Sequence, residues 1–427
     1  MKHFHASRPA PVAVIVATLM LGSAASAFAQ QDEQEFPQLM ETPVAVQDVR
    51  PDMIQSDRVR AAFQGVRIME TLDFSTDEVE LENINAVVRV MPQDRQDVSI
   101  DFHKGPKPEF EVIGGKLVVD GGIEDSNGWG WNNDWCSRRD RKNERTVMTI
   151  RVPRQLDIAF DGAVDAAVGP SDGGDVAMFG CGHADVAPVN GDLNAKAGNS
   201  TSLRIVSIAG NASLHSMNSS DLKVDGPIGG DLSAKVMNSS DMELTSVAGN
   251  ATIEDFNSAD LELTTIGGDL TVKVYNSADL EIDAVAGSVI ARIMNSGDLD
   301  LDRIGRDLDI EISNGAGAEV DTVGGSLEAT LNNGSDLEID ALTAAASVDV
   351  TLNQGSTIEI ANGAIGSLDL TMYQDSTFDF GGRVETADIH MYSDRDSYIA
   401  EVIDVRLRKD DRAGGEVRFG KITNLNQ

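Results

Sequence analysis

The chain has 427 residues and a formal charge of −36; 41% of its residues are hydrophobic but only 5% are aromatic. That charge excludes a role built on phosphate contacts to nucleic acid, which draws on clustered Lys and Arg, and it disfavours an anionic membrane surface. Forty glycines beside so few rings point to small side chains and frequent turns, not to an ordinary layered enzyme core.

Residues 1–29 read as a secretory signal peptide: Lys2 and Arg8, an apolar run over 12–21, then Ala27-Phe28-Ala29 as an A-x-A cleavage site. The run falls short of the roughly 20 residues that span a bilayer, and no later segment supplies a transmembrane helix. The product is expected to be exported, either periplasmic or secreted to the cell surface. Residues 30–72 read as a polar linker with a short helix over 57–63. Residues 73–125 hold alternating strands at 79–82, 87–90, 98–101 and 116–119. They are expected to form an N-terminal β cap, because the open end of a coil stack exposes strand edges.

Residues 126–145 stand apart as a Trp/Arg-rich loop insertion carrying Trp129, Trp131, Trp135, Cys136, Arg138, Arg139 and Arg141. Exposed Trp beside Arg could stack on sugars or anchor a partner. Alternatively, the rings cover the flank of the fold while the basic run pairs with its acidic surface. The two cysteines, Cys136 and Cys181, are a disulfide candidate in an oxidising compartment, with two inert thiols as the alternative. No C-x-x-C spacing points to a reactive or metal-binding pair.

Residues 146–380 carry a repeat. An Asn-Ser turn recurs at Asn199, Asn218, Asn238, Asn257, Asn276 and Asn295, then degenerates to Asn314-Gly315, Asn333-Gly334 and Asn353-Gln354. Between these turns lies a Gly-rich one, as at Gly229-Gly230-Asp231 and Gly267-Gly268-Asp269. Each turn opens an alternating stretch such as Asp260-Leu261-Glu262-Leu263 or Leu270-Thr271-Val272-Lys273-Val274, and period two means strand with one buried face. A unit of about 19 residues cannot close a core alone, but copies stacked about 4.8 Å apart can. The expected fold is therefore all-β: a single-stranded parallel β-helix (β-solenoid) with coils of about 19–20 residues and capping layers at both ends, the second over 381–427. Parallel crossovers favour right-handed winding.

The corner residues invite a physical reading. A stacked Asn tolerates left-handed backbone angles and can bond its amide to the neighbouring coil as a ladder. Asp221, Asp241, Asp260, Asp279 and Asp298 would stack as a carboxylate file, and at ~4.8 Å two unit charges repel by about 3.5 kcal/mol at an effective dielectric of 20. Either each Asp is solvated and accepts backbone N–H groups, or the file binds Ca2+ between coils. Gly317 breaks the file and no coil matches the calcium-binding nonapeptide, so no cofactor is expected. Lys223, Glu243, Glu262, Glu281, Asp300, Glu319 and Glu338 form an outward acidic stripe, either a solvated face or a docking surface for a basic or sugar-bearing partner.

Catalysis finds little support. His103, His183, His215 and His390 do not cluster in sequence, and no G-x-S-x-G, H-E-x-x-H or P-loop spacing occurs. The chain is expected not to be an enzyme. The rival readings are a carbohydrate-active β-helix enzyme with an acidic groove, because carboxylate pairs abound, and a calcium-stabilised structural spacer.

The strands at 87–90 and 98–101, the hairpin over 111–117, the Ile150-Arg151-Val152-Pro153 lead-in and the G/N-S-x-D-L coils resemble the bacterial auto-transporter adhesin head GIN domain family of adhesin-like β-solenoids. The resemblance covers about residues 73–400. It implies an exported adhesion, binding or scaffolding module of the cell envelope, whose partner is an envelope or surface protein or a glycan. It transfers no catalytic residues, and the Trp loop lies outside its pattern.

Overall fold

The computed structural model describes residues 57–123, 145–343, 347–410 and 414–426. The signal peptide, most of the linker and the loop residues Trp129, Trp131, Trp135, Cys136, Arg138, Arg139 and Arg141 lie outside the described residues.

From Gln155 onward, strands alternate between two series, and each strand pairs in parallel with its counterpart one coil further on. The result is a parallel β-solenoid of about 14 turns with about 19 residues per turn. One coil shows the construction. After the Asn257-Ser258 corner, strand Asp260–Ile266 pairs with Asp241–Val247 before it and Asp279–Val285 after it. After Gly267-Gly268, strand Leu270–Tyr275 pairs with Ala251–Phe256 and Val289–Met294, residue for residue.

Alternation sets which residues face inward. Leu261, Leu263, Ile266, Leu270, Val272 and Val274 of this coil are all buried, and register places them in aliphatic columns such as Leu222, Met242, Leu261, Leu280 and Leu299. Each buried Leu, Ile or Val contributes about 1.5–3 kcal/mol relative to exposure, a gain that no isolated coil could realise.

Two ladders fix the corners. Asn257 and Ser258 both adopt left-handed angles, φ 62° and 56°, a conformation that Asn accepts more readily than most residues. The Asn276 amide donates to Asn257 Oδ1 at 2.9 Å and the Asn257 amide to Asn238 Oδ1 at 3.0 Å. The same bond recurs from Asn218 through Asn333. At the Gly corner a second ladder runs through side-chain oxygens: Asn250 Oδ1 accepts the Asp269 backbone N–H at 2.9 Å, and Asp269 Oδ1 accepts that of Ser288 at 2.9 Å.

The ends differ from the sequence expectation. Residues 57–72 are not all linker. Helix Asp57–Ala62 buries Val59 against Val87, Val147 and Ala167, and strand Glu70–Phe74 pairs antiparallel with Val98–Lys104. That strand in turn pairs antiparallel with Thr146–Pro153, so the N-terminal layer mixes directions. Its long strand Glu78–Gln93 nevertheless runs parallel to Gln155–Val168 and joins the stack. At the other end, parallel pairing does not stop at residue 380: Thr377–Tyr392 pairs with Ser397–Lys409, and Ser397–Lys409 pairs with Val417–Asn426. Residues 381–427, expected as a separate closing layer, instead add coils. Their alternation persists, with Val384, Ile389, Ile399 and Val402 buried, after the Asn-Ser corners have been lost.

Candidate binding surface

The strands that follow the Asn corner present an acidic face. Asp221, Asp241, Asp260, Asp279 and Asp298 are register partners in adjacent coils and form one file. Two residues on, Lys223, Glu243, Glu262, Glu281, Asp300, Glu319 and Glu338 form a second file. Between the files lies an open trough of about 640 Å³ that runs from Asp260 to Glu359 across the gap at Gly317 and Ala318. Partial burial, and then the neighbouring aspartates, push the carboxyls of Asp221, Asp260 and Asp298 above the ordinary range. The next carboxylates, Asp300 first and then Glu338, do the same to Glu319. Lys223 is bonded to Glu243. Among the described residues, no group of three or more His, Cys, Asp or Glu side chains is placed to hold a metal ion.

The strands that follow the Gly corner look different. Their outward positions over residues 193–294 bring Lys196, His215, Lys235, Glu254, Lys273 and Arg292 into one column. Glu254 bridges Lys235 at 3.2 Å and Lys273 at 3.0 Å, and these cations hold its carboxyl below the usual range. Burial, then Lys196 and Lys235, lower the pKa of His215. Beside this column runs an apolar one, Met217, Met237, Phe256, Tyr275 and Met294, all partly buried. Phe256 and Tyr275 stack with ring centroids 5.1 Å apart, and Lys235 Nζ lies 5.2 Å from the Phe256 ring centre. Ile290, on the same face, is 48% exposed.

Two constellations escaped sequence reading. His183 contacts Ser202 Oγ at 3.2 Å through Nδ1 and Asp185 Oδ1 at 3.0 Å through Nε2. Ser202 is its register partner in the next coil, so an offset of 19 residues was the missed signal. This has the form of a nucleophile, base and orienter, but the Ser202 backbone N–H already donates to the Gly182 carbonyl at 3.1 Å and is not free to hold an oxyanion. The second is Asp255, fully buried in the column between Val236 and Val274. Neither of its carboxylate oxygens has a hydrogen bond of good geometry among the described residues. Burial first, then Asp260 and Asp279, push its pKa up to about 8, with partial relief from the adjacent Phe256 amide.

At the base of the Trp loop, Arg145 donates to Asp165 Oδ2 at 2.6 Å and to the Ala163 carbonyl at 3.3 Å. This last member of the basic run thus serves as an anchor. Cys181 is disulfide-bonded, and Cys136, the only other cysteine in the sequence, lies outside the described residues. No helix among the described residues is long and apolar enough to cross a membrane.

Residues 76–357 match the sequence family described as Toastrack DUF4097. Among solved structures, a Clostridium sporogenes protein described provisionally as a cell adhesion protein is similar at 12% identity, with 53% of this chain and 97% of that chain covered and a TM-score of 0.16. No curated protein matches the chain.

Proposed function

The chain belongs to the Toastrack DUF4097 family, and from that premise we propose that it is an exported, non-enzymatic adhesion, binding or scaffolding module of the bacterial envelope. The observation that carries this reading is the acidic face, where two carboxylate files repeat at one residue per coil along a sheet held by ladders on both sides. A stacked repeat offers an extended, pre-organised surface of this kind, and the focused negative potential selects a basic partner. The narrower auto-transporter head assignment and residence outside the cytoplasm, suggested by the 1–29 leader, belong to the same proposal. So do Trp129, Trp131, Trp135, Arg138, Arg139 and Arg141 as contacts to a surface protein or glycan.

The test is binding of poly-lysine to the purified chain. Combining Glu262→Gln, Glu281→Gln and Glu338→Gln should weaken capture by about tenfold, roughly 1.4 kcal/mol, and flatten its dependence on added salt; unchanged capture refutes the acidic face as the docking surface. A glycan array probed with and without Trp129→Ala, Trp131→Ala and Trp135→Ala checks the loop separately.

A further inference from the structure

The solenoid has two unlike faces over the same coils. On one, carboxylates recur at every coil, as at Glu243, Glu262, Glu281 and Asp300. On the other, Lys196, Lys235, Lys273 and Arg292 face outward with Glu254 as the one carboxylate in their column between them. Over residues 194–290 the aspartate file has no counterpart on this second face, where the neighbouring outward positions are Asn194, Ser213, Ser233, Thr252, Thr271 and Ile290; beyond them the same row turns acidic at Asp309 and Glu328. Apart from Ile290, these are small polar side chains, shorter than the Lys and Arg beside them. The side chains of Lys235, Lys273 and Arg292 are 37%, 41% and 61% exposed. Next to them run the partly exposed Met237, Phe256, Tyr275 and Met294. A Met and aromatic column beside Arg, with few carboxylates, is the composition of the core of a protein interface.

We propose that the cation and methionine face of one copy docks laterally on the acidic face of a second copy of this chain. Charge complementarity names the occupant, and periodicity sharpens it. Both faces are written at one residue per coil, so cations one or two coils apart meet carboxylates spaced by the same step of about 4.8 Å. A partner of any other repeat would fall out of step within a few coils. The contact is heterologous, because two different surfaces meet, and it leaves each pair with one free face of each kind, so association continues beyond the dimer into a ring or a filament. The net charge of −36 opposes approach at long range. At physiological ionic strength, however, the Debye length is about 8 Å, and the apposed columns govern the contact. The proposal goes beyond the binding role above, since it needs no second protein.

Sedimentation of the purified full chain tests it. Wild type should associate in a concentration-dependent series up to about 100 µM at physiological salt and become monomeric at about 1 M NaCl, where the Debye length is about 3 Å. The variant Lys235→Glu, Lys273→Glu, Arg292→Glu should be monomeric, and so should Glu262→Lys, Glu281→Lys, Asp300→Lys, with circular dichroism showing that both are folded. Mixing the two should restore association, because the reversed faces now complement each other. Monomeric wild type, association indifferent to either reversal, or a mixture that stays monomeric overturns the proposal. Binding of an anionic polysaccharide to the cation face without self-association overturns it in favour of a different occupant.

Discussion

Asp255 places a carboxyl at an inward position where the coils on either side have Val236 and Val274. A buried polar group without a well-formed hydrogen bond costs about 1–3 kcal/mol, so Asp255→Val should raise stability by about that amount in urea unfolding; a loss would mean that the carboxyl has a partner. The pH dependence has a definite sign. With its pKa raised from 3.8 to about 8, the folded chain holds a proton that the unfolded chain releases between those values, so the contribution is full at low pH and is lost as pH rises through about 8. The stability gap between variant and wild type should therefore widen from pH 5 to pH 8, and a constant gap counts against the assignment. Asn257 supports a different comparison. Asn257→Ala loses both ladder bonds and places Ala at φ 62°, which should cost about 1–3 kcal/mol. Asn257→Gly keeps the backbone unstrained and should cost less; equal losses would show that the side-chain ladder alone decides.

At the level of the strand and its corners, alternation in sequence made the inward and outward positions legible, because period two has only one way to bury Leu261 and Leu263 while exposing Glu262. The misreading of residues 381–427 has an equally local cause. The last left-handed corner is Gln374-Asp375, at φ 40° and 59°, just before that segment, and among the described residues from 381 on none has a positive φ, so the corner pattern ends while the parallel strand pairing continues. The pairing of His183 with Ser202 and the anomaly at Asp255 were both visible as offsets of 19 residues. The Gly-corner ladder was not, because its acceptors, Asn250 and Asp269, resemble ordinary turn residues until the coils are stacked. Gly268 shows how tight that corner is: a Cβ there would sit 2.5 Å from Asn250 Oδ1 and 2.7 Å from the Gly249 carbonyl. Gly268→Ala should lower stability by about 1–3 kcal/mol by forcing the neighbouring coil away. Gly315, at φ 66° with open space where its Cβ would point, should tolerate Asn at a few tenths of a kcal/mol. Thermal melts of the two variants check the contrast.

Across the whole molecule, like charges are stacked along one face while opposite charges are interleaved on the other. Exposed pairs such as Lys273 and Glu254 are worth little individually, whereas the carboxylate files repel cumulatively. Added salt should therefore stabilise the fold, raising the thermal midpoint between about 0.01 and 1 M NaCl as the Debye length shrinks from about 30 to about 3 Å. A falling midpoint would mean that the ion pairs dominate. Within the repeats, what holds the stack against that repulsion is nearest-neighbour burial, coil on coil.

The corners also make the coils interchangeable. Phe256 is followed by Asn257 and Tyr275 by Asn276, so excising residues 257–275 would join Phe256 to Asn276 and recreate the same junction. The axis would shorten by one graduation of about 4.8 Å while the cross-section kept its outline. Genetic duplication or loss of a single unit can thus reset the reach of this protein as one trims or extends a ruler, without redesigning either edge.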